Sequence, residues 1–187
     1  MSINAIGTIG KKLIFRERKK IKDVKKYVIP KNPKSEGQNT QRGYLRTAIE
    51  AWKTDGFNRL DFEAWGRLAS IQKKILSGIN IYTSLRINQL KEGKTWTKIT
   101  DYYLESVGEP WAYIEFKCAS DKNGKLYLGT SPHVMLEEWS AGCAMGKYYI
   151  TLLNLTKGTR YYFYVENTAE NESARTGIYS FKTVIWD

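Results

Sequence analysis

Histidine and cysteine, which build most catalytic and metal sites, are scarce in this sequence. Its 187 residues include one histidine, His133, and two cysteines, Cys118 and Cys143. Two cysteines without metal-site spacing exclude a structural zinc site and a disulfide scaffold, and both are expected to be reduced. A lone histidine is far more often structural than catalytic, and the adjacent Glu137 and Glu138 do not share one face. We therefore expect a protein that is not an enzyme and that holds neither a metal nor a cofactor.

Long apolar runs are also absent. The longest are only a few residues, far short of the about 20 that a transmembrane helix needs. Near the N-terminus the lysines follow a short apolar stretch, which is the reverse of a secretory signal. The glycines at 7 and 10 lack the spacing of a phosphate-binding loop, and no Ser or Thr follows Lys11 or Lys12. We expect no membrane contact, and a protein that is made and kept in the cytoplasm or is released by lysis.

Charge is plentiful and unevenly distributed. The chain has 30 Lys+Arg against 19 Asp+Glu. Residues 1–100 carry 22 basic against 8 acidic residues, whereas residues 101–187 carry 8 against 11. The break predicts two parts with different partners, of which the basic one faces something anionic.

The first 34 residues alternate apolar and basic side chains. This pattern predicts a basic arm or hairpin of two short strands, with a lysine-rich turn from Lys19 to Asp23. Pro30 and Pro33 then predict an extended linker. The predicted anion- or partner-binding residues are Lys11, Lys12, Arg16, Arg18, Lys19, Lys20, Lys22, Lys25, Lys26 and Lys31.

Such a density of positive charge repels itself unless anions lie nearby. The anions could come from a phosphate backbone or from an acidic protein surface. No recognition helix, zinc finger or RNA-binding signature accompanies the charge, so sequence-specific reading of nucleic acid is not expected. An acidic protein is favoured over nonspecific nucleic acid, and a plain solvated hairpin is the third alternative.

Residues 35–95 have helical periodicity. The pattern predicts helices over residues 36–53, 61–76 and 81–90, capped by Ser35, Asp61 and Asn80. Gln38 and Arg42 lie one turn apart on the first helix. They are either a partner-binding pair or ordinary solvated surface.

From Trp96 onward the period falls to two, and turn residues recur at short intervals. This predicts a β-sandwich over residues 100–187, and hence an α+β protein. Ala112, Ile114, Phe116 and Cys118 are expected on one buried face.

The same alternation predicts an outward patch. Its members, expected to form an interface or to pack on the protein's own helices, are Tyr127, Tyr162, Tyr164 and Ile178.

Residues 155–161, Leu-Thr-Lys-Gly-Thr-Arg-Tyr, resemble the tyrosine corner of fibronectin type III domains. Residues 179–183 are similar to the last strand of that family, and Trp111 to its first-sheet tryptophan. The resemblance covers roughly residues 100–184 and implies a fibronectin type III-like β-sandwich.

The first half resembles a family of small phage and prophage proteins. The resemblance rests on Pro-Lys-Asn-Pro-Lys-Ser at 30–35, on two tryptophan-bearing helices with Trp52 and Trp65, and on Ser-Gly-Ile-Asn-Ile-Tyr at 77–82. Gln38 and Arg42 belong to the same motif.

This resemblance implies a non-enzymatic structural component of a phage virion, associated with the capsid, neck or tail. The basic half would anchor the protein on the particle, and the β-sandwich would project from it or contact neighbouring proteins. Its partners would be other virion proteins and further copies of itself. Two alternatives stay open: a nonspecific nucleic-acid-binding or packaging protein, and a host-glycan adhesion module that uses the outward tyrosines.

Overall fold

A computed structural model of the protein describes residues 7–10, 12–18, 21–29, 32, 34–72, 76–107, 111–120, 122–167, 169 and 171–184. The chain divides into two compact units, Met1–Asn39 and Thr40–Asp187. The fold is mixed α+β, as the sequence predicts, with a large curled β-sheet. None of the described helices is both long enough and apolar enough to cross a membrane.

The N-terminal unit contains a three-stranded antiparallel sheet. Its strands are β1 (Gly7–Ile9), β2 (Leu13–Arg18) and β3 (Ile21–Lys26), in that order. Strands β2 and β3 form a hairpin over the predicted segment, and β1 adds a third strand that the sequence analysis did not anticipate. Because β3 begins at Ile21, Asp23 lies in a strand and not in the predicted turn; Lys19 and Lys20 lie outside the described residues.

Three helices are described: α1 (Glu36–Thr54), α2 (Arg59–Ser70) and α3 (Gly78–Glu92). The predicted start of α2 was wrong. Asn58 is its N-cap, because the Asn58 side chain accepts from the Asp61 N–H and the Asp61 carboxylate accepts from the Asn58 N–H. Asp61 is therefore the third helical residue of a capping box.

Helix α3 also begins earlier than predicted. Ser77 holds the N-cap position in place of Asn80, whose N–H bonds to the Ser77 carbonyl. The helix ends at Gly93, whose left-handed backbone (φ 69°) lets the Lys94 N–H reach the Gln89 carbonyl. This is the usual role of glycine after a helix.

Nine strands follow in the second unit, counting only the described residues. They are β4 (Thr95–Trp96), β5 (Ile99–Val107), β6 (Ala112–Cys118), β7 (Gly124–Gly129), β8 (Glu137–Ala144), β9 (Lys147–Leu152), β10 (Arg160–Asn167), β11 (Glu172–Arg175) and β12 (Tyr179–Lys182). Their order across the sheet is β4-β11-β10-β7-β8-β9-β6-β5, and β12 pairs with β10.

Strand β8 joins the two halves of this sheet. Its first part, up to Ala141, pairs with β7, whereas Gly142 to Ala144 pair with β9. Because one strand pairs with different neighbours along its length, the sheet curls around the side chains of its inner face.

The inner face forms the main core. The predicted inward positions of β6 are confirmed, since Ala112, Ile114, Phe116 and Cys118 are all buried. Trp111, which the resemblance matched to the first-sheet tryptophan of fibronectin type III domains, is 40% exposed. Alternation gives the reason, because Ala112 takes the inward position and its neighbour must point outward.

A second apolar cluster lies between the helices and the sheet. Trp65, Leu68, Tyr82 and Ile178 are its buried members, and Trp52, Phe57 and Trp96 pack against them. Ring centroids of Trp65 and Tyr82 are 5.3 Å apart in an edge-on arrangement. The aromatic residues of the helices are thus used to cover one region of the sheet.

Candidate interaction surfaces

The three strands of the N-terminal unit, here called the basic sheet, display apolar and cationic side chains on the same face. Leu13 pairs with Lys26, and Phe15 with Val24, so all four side chains share one face. Leu13 and Lys26 are exposed, and Val24 is 56% exposed. A sheet this small has too few residues to bury its own apolar side chains.

The opposite face of the basic sheet holds an ion pair. The Arg16 guanidinium donates to both carboxylate oxygens of Asp23, at 3.1 and 2.7 Å, and Lys25 Nζ lies 3.9 Å from Asp23 Oδ2. The hydrogen bond to Asp23 raises the pKa of Arg16, and the same bond lowers the pKa of Asp23. Arg16 is thus engaged within the hairpin and is a weaker candidate for partner binding than the sequence indicated.

The remaining predicted cations are divided between described and undescribed positions. Lys12, Lys22, Lys25 and Lys26 are exposed. Arg18 is the last residue of β2. Outside the described residues lie Lys11, Lys19, Lys20 and Lys31.

Helix α1 has a long exposed side. Gln38 and Arg42 are both exposed, as predicted for either of their two interpretations. Further along the helix, the lining of a surface cleft includes Arg42, Leu45, Arg46, Ile49 and Lys53. This stretch combines cations with apolar side chains, a pattern that the charge counts did not reveal.

The four residues of the predicted outward patch lie in two different environments. Tyr127 on β7 and Tyr164 on β10 stack with ring centroids 4.9 Å apart, and the Arg175 guanidinium lies 4.1 Å from the Tyr164 ring centroid. Since β10 lies between β7 and β11, the Tyr164 ring is held between Tyr127 and Arg175. The Tyr164 ring is therefore covered on both faces, whereas Tyr127 has one face against Tyr164.

The other two members of that patch pack on the protein's own helices. Of the two alternatives for the outward patch, packing on the protein's own helices is confirmed for these two residues: Ile178 is fully buried in the helix cluster, and Tyr162 packs against the same cluster. The reason is a direct backbone attachment: the Ile178 N–H donates to the Ala64 carbonyl at 3.0 Å, and Arg67 Nη1 donates to the Ile178 carbonyl at 2.5 Å. Ile178 is thereby held beneath α2.

A buried carboxylate connects α2 to the sheet. Asp61 is fully buried and accepts from the Tyr179 hydroxyl at 2.5 Å, the Asn58 N–H at 2.8 Å and the Asp101 N–H at 3.2 Å. Burial, together with the Asp61 charge, raises the pKa of Tyr179 well above its ordinary value. Sequence reasoning identified Asp61 only as a helix cap, although the Asn-x-x-Asp spacing of the capping box was visible.

The two cysteines are neighbours in space. Cys118 Sγ lies 3.2 Å from Cys143 Sγ, and both thiols donate to the Ser120 carbonyl, at 3.2 and 2.9 Å. Both are free cysteines. Burial and the neighbouring Cys143 raise the pKa of Cys118 to about 12. Their spacing in sequence gave no sign of this contact.

The only histidine, His133, is exposed, and its backbone N–H donates to the Ser131 hydroxyl. Within the part of the chain that the structure describes, no group of three or more His, Cys, Asp or Glu side chains could hold a metal ion.

Comparisons with known proteins give no relative: no family model matches the chain, and no curated protein matches it. Its role is therefore argued from its own residues.

Proposed function

We propose that this protein is a non-enzymatic structural component of a phage virion, anchored by its basic N-terminal half. One observation carries the proposal: the basic sheet exposes apolar and cationic side chains together on one face. Leu13 and Lys26 are paired at one end of that face, and Val24, paired with Phe15, lies beside them. Beyond β3 the chain continues with Val28 and Ile29, which are also mostly exposed.

A surface of this composition fits an acidic protein better than nucleic acid. Phosphate groups neutralise lysines, but they offer nothing to cover valine and leucine side chains. A protein surface with carboxylates around an apolar centre can pair with the lysines and also cover the valine and leucine side chains. Burying each exposed methylene contributes about 0.8 kcal/mol. A neck, tail or capsid surface of this kind is the proposed anchor site, with many copies repeating one contact.

We further propose that the second unit is a β-sandwich of the fibronectin type III kind. Strands β5, β6 and β9 lie on one side of β8 and strands β7, β10 and β12 on the other, a grouping that supports two faces of a sandwich joined through β8. The Tyr161 hydroxyl accepts from the Thr156 N–H at 2.8 Å, and Leu155 is buried, which supports a tyrosine corner. In the virion this part would be presented to neighbouring proteins.

Glycan adhesion has less support. Stacking on a sugar needs an uncovered aromatic face, but Tyr164 is covered by Tyr127 and Arg175, and Tyr162 packs against the helix cluster. Nonspecific nucleic-acid contact by the lysines is the second candidate, and the experiment below separates it from attachment to protein.

The test adds purified full-length chain to virions made without it and measures co-sedimentation, in parallel with binding to random duplex DNA. The key variant is Val24→Thr, which keeps shape, β-propensity and charge while removing apolar surface. We expect it to bind virions roughly fourfold more weakly and DNA unchanged, since one methyl group is lost from the contact. Lys26→Glu should weaken both.

Lys182→Glu is the matched control, because Lys182 is an exposed residue of β12 in the other unit and undergoes the same change of charge. It should bind virions like the wild type. DNA binding that falls steeply with salt, with no binding to virions, would favour the packaging alternative and overturn the proposal.

A further inference from the structure

The two cysteines bring their sulfur atoms close together. Cys118 is the last residue of β6 and Cys143 lies near the end of β8, on either side of β9 in the sheet. Their sulfur atoms are 3.2 Å apart, against about 2 Å in a disulfide. Both sulfurs already point at the same acceptor, the Ser120 carbonyl, so their side chains converge.

We propose that Cys118 and Cys143 form an intramolecular disulfide that links β6 to β8 when the protein meets a peroxide oxidant. The bond would close a loop between residues 25 positions apart in sequence. This inference is independent of the proposed function, since it rests on the geometry of the sheet alone.

Hydrogen peroxide would oxidise the two thiols to a disulfide in two steps. The Cys143 thiolate attacks the peroxide O–O bond, which breaks to give a sulfenic acid and one water. The Cys118 sulfur then attacks the Cys143 sulfur; the S–S bond forms, and the sulfenic hydroxyl leaves as water with the Cys118 proton. The two thiols lose two electrons and two protons in total, and the peroxide is reduced to two waters.

The order of these steps follows from the surroundings of each thiol. Cys143 is half-buried and accessible, whereas Cys118 is 7% exposed. Burial raises the pKa of Cys118 to about 12, so at neutral pH Cys118 is a protonated thiol and a poor first nucleophile. Cys143 is therefore the site of attack, and Cys118 is the resolving cysteine.

The cross-link should stabilise the unit. A disulfide restricts the unfolded chain, and a loop of this length is expected to raise Tm by on the order of 5–10 °C. The cost is small, because the Ser120 carbonyl loses only two weak S–H donors.

The test treats the full chain, purified with reductant and then desalted, with hydrogen peroxide. Free thiols are alkylated under denaturing conditions and counted by intact mass, and the cross-link is mapped by non-reducing peptide analysis. We expect free thiols to fall from two per chain to none, with one linked peptide pair containing Cys118 and Cys143 in a chain that stays monomeric on a non-reducing gel. Oxidised protein should melt higher than reduced protein, and the double variant Cys118→Ser/Cys143→Ser should show no such difference.

A second variant tests the order of the steps. In Cys118→Ser the sulfenic acid on Cys143 has no resolving partner, so dimedone should trap it, whereas wild-type protein should give no adduct. The proposal is overturned if the wild type keeps two alkylatable thiols after peroxide, if it is over-oxidised without a cross-link, or if the cross-links form only between chains.

Discussion

At the scale of single residues, Asp61 links three separate parts of the second unit. Its carboxylate accepts from the Asn58 N–H before α2, the Asp101 N–H in β5 and the Tyr179 hydroxyl in β12. A buried charge is costly unless hydrogen bonds replace its lost hydration, and here three donors do so. The left-handed backbone of Asp101 (φ 58°) lies at the irregular part of β5 from which its N–H reaches this carboxylate.

Removing one of these donors gives the first stability prediction. Tyr179→Phe keeps the ring but deletes the hydroxyl that donates to Asp61, and hydrogen bonds to charged groups contribute about 1.5–3 kcal/mol. We expect the free energy of unfolding, measured by urea denaturation, to fall by about that amount. Tyr103→Phe is the control, because Tyr103 is 57% exposed, and it should change stability by less than about 0.5 kcal/mol.

Equal stability of the two variants would mean that the Tyr179–Asp61 bond contributes nothing, and the role assigned to Asp61 would then be wrong. Sequence reasoning could not assign that role, because 118 positions separate Asp61 from Tyr179.

At the scale of elements, the attachment of α2 to β12 depends on a glycine. A Cβ on Gly177 would lie 2.3 Å from the Ala64 carbonyl carbon and 2.4 Å from the Trp65 nitrogen, both backbone atoms of α2. Backbone atoms cannot move aside as a flexible side chain can. The residue preceding Ile178 must therefore be glycine if the helix is to pack this closely.

Two glycine-to-alanine substitutions should change the free energy of unfolding in opposite directions. Gly177→Ala should lower the free energy of unfolding by about 1–3 kcal/mol or more, because α2 must shift away from β12. Gly66→Ala, within α2 itself, meets nothing within 4 Å and should raise stability by up to about 1 kcal/mol through helix propensity. Thermal or urea unfolding of both variants checks the signs, and a harmless Gly177→Ala would contradict the described packing.

The elements themselves were largely predictable, because local patterns determine them. The alternation from Ala112 to Cys118 predicted both the strand and its buried face. Helix starts were less predictable, since Asn58 and Asp61 are both good capping residues and only their reciprocal hydrogen bonds decide between them.

Packing between distant elements could not be predicted from the sequence. Alternation places Ile178 on the outer side of the sheet but does not decide between an interface and the protein's own helices; its hydrogen bonds to α2 decide it. The Cys118–Cys143 contact and the holding of Tyr164 by Arg175 are likewise consequences of strand order. Each of these contacts joins residues whose positions in the sequence do not indicate that they lie close together.

At the scale of the whole molecule, charge and structure change along the chain together. The excess of basic residues falls in the first half, where the basic sheet exposes lysines beside valine and leucine. The nearly neutral second half forms the curled sheet and its large core. This division supports the proposed role, in which the basic first half is the anchor.

The proposed virion role is tested most directly by counting this chain in virions purified from the lysate of cells that produce it, using quantitative mass spectrometry against isotope-labelled peptides of the chain. The account predicts that it is present in multiple copies per particle, in a fixed ratio to the other structural proteins. Its absence from purified virions, while it is abundant in the infected-cell lysate, would contradict the account.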